Sequence, residues 1–230
     1  MDTFQVIKSR RSVRKFLDRK IPDVVLYAIL EAGNAAPAAG NHPNWKFIIV
    51  EDKETKKAIA RAALKQDWIA QAPVIVVACS DPASLVREYG AKARETFAAH
   101  NVAAAIQNML LAAANFGIGS TWIGAFAETP IRKECRIPDN IDIIAVIPFG
   151  YAAERPVPPS RPYFADVLFW EYWKQARRGG EEVTQIGERI EKEIIPRVRK
   201  ELERHLTKAA EEVSKAAKHI KRQTAKGKKK

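Results

Sequence analysis

Residues 96–126 read TFAAHNVAAAIQNMLLAAANFGIGSTWIGAF, and this stretch decides the fold. Thr96–Phe116 is long, rich in alanine and apolar on nearly every side, which suits a helix packed all round rather than one with a wet face. Gly117 follows as a C-cap glycine, and STWIGAF then reads as a short strand-like run. A central helix delivering the chain into a strand demands a sheet beside it.

The sheet is legible on both sides. Upstream, Trp45–Val50 (WKFIIV) and Pro73–Cys79 (PVIVVAC) are short apolar runs rich in β-branched residues, read as buried strands. Downstream, Ile143–Tyr151 (IIAVIPFGY) is a further strand. Pro22 opens a helix over VVLYAILEAG, Lys53–Gln66 has helical character, and Pro130 starts a helix that runs to about Cys135. The core is therefore mixed α and β, and with no period of 20–50 residues it is not a solenoid.

The composition changes near residue 174, behind Trp173 and around Arg177-Arg178-Gly179-Gly180, so the sequence divides into a domain over 1–173 and an extension over 174–230. The extension carries 18 Lys and Arg against 9 Glu, or +9 of the chain's net +12, which leaves only +3 for the domain. Any anionic partner, nucleic acid or membrane surface, is thus a matter for the tail. Apolar side chains from Val183 to Ile220 recur in three- and four-residue steps, predicting an amphipathic helix that Pro196 kinks or splits. The plainer expectation is a helix that wraps a dimer and exposes a charged face. No apolar run approaches the roughly 20 residues of a membrane span, and the charged start MDTFQVIKSRRSVRKF is no export signal, which points to the cytoplasm. Cys79 and Cys135 have no metal-ligand spacing and are expected to be buried, inert thiols.

Gly117, Gly119 and Gly124 do not form a dinucleotide fingerprint, because a helix precedes them and a strand follows, the reverse of what that motif requires. HExxH, GxxxxGK[ST] and GxSxG are absent from the chain. Four other elements suit an anionic, planar ligand. Arg10-Arg11-Ser12-Val13-Arg14 sets three guanidiniums and a hydroxyl within five residues, and the guanidinium fork suits phosphate. Ala36-Pro37-Ala38-Ala39-Gly40-Asn41-His42-Pro43-Asn44-Trp45 is a loop of small residues that would let a planar group approach closely. Trp122-Ile123-Gly124-Ala125-Phe126 offers backbone amides beside a glycine. Gly150 to Pro162 (GYAAERPVPPSRP) is a strand end followed by a proline-stiffened segment that delivers Arg161.

In this order and at these distances the four elements, with the AAAIQNMLLAA helix, resemble the FMN-dependent nitroreductase family over nearly all of residues 1–173. The resemblance implies an α+β fold with a mixed sheet flanked by helices, and an interlocked homodimer with FMN at the interface. The basic tail is an addition to that plan. It also implies roles. Arg10, Arg11 and Ser12 with Arg161 match the phosphate and ribityl site, Arg14 the group near flavin N1 and O2, and the amides of Gly124 and Ala125 the donors to N5 and O4. Pro37, Ala38 and Asn41 match the loop that reaches in from the partner subunit. Ala38 stands where the family commonly has serine, Pro43 where it has glutamine and Pro159 where it often has lysine. Phosphate charge then rests on Arg161 and Arg10. His42 is a candidate catalytic side chain above the flavin ring, and the variable loops that line the substrate pocket in the family fall here at Leu64–Gln71 and Leu85–Arg94.

The implied activity is an FMN-dependent oxidoreductase that moves hydride from NADH or NADPH to a small electron-poor acceptor, a nitroaromatic, quinone or flavin, by a ping-pong mechanism, with no metal. Alternatives on the same fold are flavin fragmentation and iodotyrosine dehalogenation, though residues 53–95 carry no lid signature for the latter. A rival of another class is a flavin-binding or regulatory protein whose tail binds an anionic partner.

Overall fold

Strand β2 (Val74–Ser80) is buried at every position, because it lies in the middle of a sheet covered on both faces. The computed structural model describes residues 2–162 and 164–175, together with positions 189, 192, 193, 196, 197 and 200. In chain order the elements are α1 (Thr3–Ser9), α2 (Asp23–Asn34), β1 (Trp45–Val50), α3 (Lys53–Ala62), β2, α4 (Ala83–Tyr89), α5 (Lys92–Glu95), α6 (Phe97–Asn115), β3 (Gly119–Ser120), α7 (Glu128–Glu134) and β4 (Asp142–Gly150). The sheet order is β1-β2-β4-β3. Its strands pair antiparallel throughout, and among the described residues the parallel component is one bridge from Ser12 to Ser120.

Alternation along β2 builds two cores. Val74, Val76 and Ala78 meet Leu26 and Ile29 of α2 and Val102, Ile106, Met109 and Leu110 of α6, whereas Ile75, Val77 and Cys79 meet Ile59 and Ala60 of α3 and Ile131 of α7. Period-2 strands between two helix layers explain why β2 reads as an unbroken apolar run. The helical stretch Lys92–Asn115 is long and apolar enough to cross a membrane. Eight residues of α6 are nonetheless buried among α2 and the strands, so it is the core helix.

Most expected elements are present, with differences: the helix expected from Pro130 begins at Glu128, and the one expected over Lys53–Gln66 ends at Ala62. The central helix ends at Gly117 in the left-handed region (φ 74°) as expected. STWIGAF contracts to the two residues of β3 plus an isolated bridge from Ile123 to Val146, and Thr121 between them donates its Oγ1 to Val13 O (2.6 Å). Leu85–Arg94 is not a loop but lies largely in α4 and α5, and Asp67–Gln71 forms a 3₁₀ turn. α1 was not legible at all. It buries only Val6 and is N-capped by Asp2, whose Oδ1 accepts from Gln5 N at 2.9 Å. Both cysteines are free, with Cys79 buried and Cys135 half-buried in one apolar cluster. Burial pushes the Cys79 thiol up to about 12 and raises that of Cys135, which fits inert thiols.

The described chain divides into two units, Met1–Pro158 and Pro159–Lys230. The compositional break at residue 174 lies inside the second unit. In that unit Phe164–Val167 form a 3₁₀ turn, and the Phe169 and Trp173 rings meet at 4.7 Å. Trp170 N donates to Gln175 O at 2.9 Å, while Tyr172 (73%) and Trp173 (80%) stand exposed. Positions 189, 196, 197 and 200 are α-helical, with Arg189 and Glu193 paired at 3.4 Å. The apolar stripe from Val183 to Ile220 falls outside the described residues.

Candidate functional site

The arginine segment is fixed before its side chains are considered. After α1 the chain from Arg10 to Leu17 lies extended against the sheet edge and is stitched on both sides. Val13 N donates to Ser120 O (3.1 Å), Ala153 N to Lys15 O (2.9 Å) and Leu17 N to Tyr151 O (2.9 Å). Val13 and Phe16 are buried, and a Cβ on Gly150 would fall 2.6 Å from Pro73 Cδ and 2.9 Å from Phe16 Cδ1. Only glycine allows β4 and this segment to approach so closely.

The result is a cleft of about 390 Å³ lined by Arg10, Arg11, the Gly117–Ser120 turn, Glu154 and Arg155. Arg11 turns its Nη1 back onto Lys8 O (2.5 Å) and Arg10 O (2.7 Å), closing the C-terminal end of α1. Ser12 is half-buried in the bridge to Ser120, and Arg14 is exposed with its backbone N–H donating to Glu154 Oε1 at 2.6 Å. Glu154 is a carboxylate inside a basic cleft, a feature that sequence reasoning missed. Arg161 lies in the second unit, exposed, in irregular backbone.

Gly124 and Ala125 follow directly on Ile123, whose N and O are both bonded to Val146 at 3.0 Å. They are exposed. Among the described residues, neither of their amide N–H groups has an acceptor. Two neighbouring unsatisfied donors in a segment anchored one residue earlier suit the polar edge of a heteroaromatic ring.

The loop is held elsewhere, by a buried polar network that sequence reasoning did not find. Ala39 N donates to Asn101 Oδ1 (2.9 Å), while Asn101 Nδ2 donates to His42 O (3.2 Å) and Asn44 Oδ1 (2.9 Å). Asn44 Nδ2 donates in turn to Ser80 Oγ (2.7 Å) and Ala98 O (3.1 Å). Asn44, Ser80 and Asn101 are all at most 5% exposed, and every buried side-chain polar atom described has a partner. Pro37 and Ala38 lead into a turn in which Gly40 (φ 56°) and Asn41 (φ 58°) are left-handed. Tyr89 Oη lies over Gly40, 2.0 Å from where a Cβ would stand. The His42 ring meets Tyr89 edge-on at 6.4 Å, and Tyr89 meets Phe97 at 5.4 Å.

Within one chain these pieces do not all converge. Asn101, which holds the loop, and Ala114, which lines the arginine cleft, are 13 residues apart on α6, or roughly 20 Å at about 1.5 Å per residue. Arg10, Arg11, Ser12 and Arg14 cluster at one end of the helix, and Pro37, Ala38, Asn41 and His42 at the other.

Against known proteins, residues 7–66 and 60–151 match the model of the Nitroreductase family. A Methanothermobacter thermautotrophicus protein with the provisional name NADH dehydrogenase/NAD(P)H nitroreductase is 34% identical over 160 residues, 68% of this chain and 80% of that one. An FMN reductase [NAD(P)H] of Bacillus subtilis is 30% identical, covering 66% of this chain and 67% of its own. Among solved structures, nitroreductase A of Vibrio parahaemolyticus superposes with a TM-score of 0.68 at 26% identity, covering 76% of this chain and 78% of that one. With the matched residues taking in the arginine segment, the loop, the core helix and the last strand, the chain belongs to the nitroreductase family.

Proposed function

We propose that the chain is an FMN-dependent oxidoreductase that takes reducing equivalents from NADH or NADPH and passes them to an electron-poor small molecule, a nitroaromatic, quinone or flavin, by a ping-pong mechanism in the cytoplasm. The observation that carries the reading is the pair of free amides at Gly124 and Ala125, in the segment directly after the Ile123 bridge. A planar ring with acceptors along one edge satisfies both donors, and the basic cleft takes a phosphate at the other end. FMN, when bound there, supplies the two-electron carrier that lets dinucleotide and acceptor react in turn.

In this reading Arg10, Ser12 and Arg161 hold the phosphate and ribityl chain, and Arg11 supports them by closing α1. Arg14 stands at the pyrimidine edge. Pro37, Ala38 and Asn41 cover the ring from a second subunit, and His42 borders the acceptor's place. The 20 Å division of the candidate residues along α6 supports an interlocked homodimer, since a second copy would bring its loop to the first copy's arginines. Exposed Tyr172 and Trp173 support it too, as aromatic surface that a dimer would cover.

Two variants test the placement. Arg161→Ala is expected to weaken FMN binding by roughly 1.5–3 kcal/mol, or about 10–150-fold in Kd, as for loss of a charge-assisted hydrogen bond. Fluorescence titration reads this directly, and an unchanged Kd removes the phosphate assignment. Arg14→Met keeps bulk and loses charge. Its two-electron midpoint potential should fall by about 20–40 mV, the equivalent of roughly 1–2 kcal/mol of lost charge interaction. A midpoint at or above wild type in potentiometry places Arg14 away from the ring.

A further inference from the structure

A second cleft, of about 760 Å³, lies along α3 and takes no part in the site above. Lys53, Lys57 and Arg61, four residues apart and so on one helix face, form one wall. Phe16, Asp18, Asp67 and Pro73 are among the other lining residues. Lys56, only 9% exposed, lines it as well and donates to Ala72 O (2.8 Å) and Pro73 O (3.1 Å). An ammonium has three N–H groups, so one remains after these two bonds. Burial lowers the Lys56 pKa, a cost opposed by the fields of Asp18, Glu51 and Asp52.

The charges here are not spent on one another. Lys57 pairs with Glu54 at 2.8 Å, but among the described residues Lys53, Arg61, Asp18 and Asp67 form no ion pair although all four line the cleft. With Lys57 held by Glu54, Lys53, Lys56 and Arg61 outnumber the carboxylates of Asp18 and Asp67 in the lining, a net positive field that suits an anion. The apolar lining suits an aromatic body, with Phe16 stacked on Trp68 at 6.5 Å and Ala60 and Ala70 nearby. Its size falls in the range of small-molecule clefts. Phe16 is two residues from Arg14, about 7 Å of extended chain, so a long ligand can occupy this cleft and reach the candidate flavin site together.

We propose that the α3 cleft holds the adenosine 2′-phosphate end of NADPH and makes NADPH the preferred reductant. This rests on the FMN-oxidoreductase reading. Arg61 offers the planar fork that suits a phosphate monoester, Lys53 and Lys56 add charge, and the Phe16 side of the cleft takes the purine. NADH, lacking the 2′-phosphate, would leave those cations to water.

Calorimetric titration of the full-length protein with adenosine 2′,5′-bisphosphate tests the cleft without flavin turnover. Binding is expected in the wild type, with adenosine 5′-phosphate weaker and inorganic phosphate weaker still. The double variant Lys53→Gln/Arg61→Gln should bind the bisphosphate at least about tenfold more weakly. Both substitutions lie on exposed parts of α3, and an unchanged melting temperature verifies folding. In turnover, the wild type should favour NADPH over NADH in kcat/KM, and the double variant should lose at least about tenfold of that ratio, through KM. An unchanged bisphosphate affinity, inorganic phosphate binding as tightly as the bisphosphate, or an unchanged NADPH/NADH ratio each overturns the proposal. A wild-type protein that never takes up FMN defeats the reading of the flavin site instead, while the bisphosphate titration still decides the cleft.

Discussion

Asn101→Leu is expected to destabilise the protein by roughly 3–5 kcal/mol and to weaken FMN binding. Asn101 sits on a helix surrounded by Ala, Val and Ile, yet it makes three hydrogen bonds, to Ala39 N, His42 O and Asn44 Oδ1. Leucine matches its bulk and makes none of them. Each orphaned buried partner costs about 1–3 kcal/mol, and the loop can recover part of this only by leaving α6 for water. Opening the loop displaces Pro37, Ala38 and Asn41 together, so the loss should register in melting temperature and FMN Kd alike. Asn101→Asp keeps the acceptor for Ala39 N and should retain more of both. If Asn101→Leu melts and binds FMN like wild type, the network does not hold the loop.

Phe149→Ala should cost roughly 3–5 kcal/mol, the usual range for an aromatic removed from a packed core, and lower the melting temperature by roughly 6–20 °C. Phe149 is fully buried and lies opposite both Val74 and Ser120, so it is where β3 joins the centre of the sheet. A cavity there loosens the seat of the arginine segment, whose Val13 N bonds to Ser120 O. Phe149→Leu should recover more than half of the loss. Melting within about 3 °C of wild type for the alanine variant would mean that the surrounding α6 side chains collapse into the space.

The elements that sequence reading found are those whose burial is uniform. β2 is enclosed on both faces and reads as VIVVACS, and α6 is enclosed on most sides and reads as an alanine-rich run. α1, α4 and α5 are short and bury one residue each, leaving too weak a periodicity to see. At the candidate site, the arginines, the glycine loop and Gly124-Ala125 were legible as local motifs. The Asn101 network was not, because its partners Ala39, His42 and Asn44 are 57–62 residues away, and an Asn in an apolar helix does not show which distant groups it bonds. The α3 cleft was hidden for the same reason, since Phe16 and Asp18 reach it from far along the chain.

The sheet's connectivity bears on how the chain is made. β2 can pair with β1 soon after it leaves the ribosome, but its other partner, β4, begins roughly 60 residues later. At about 5–20 residues per second, one edge of β2 stays open for roughly 3–12 s of each synthesis. During that interval VIVVACS, uncharged, β-branched and free of proline, is a template for neighbouring nascent chains. Crowded polysomes would then convert this protein into inclusion bodies more readily than its finished stability suggests. Holdase chaperones that shield the strand until residue 150 emerges should raise the soluble yield, whereas stabilising the finished fold should change it little.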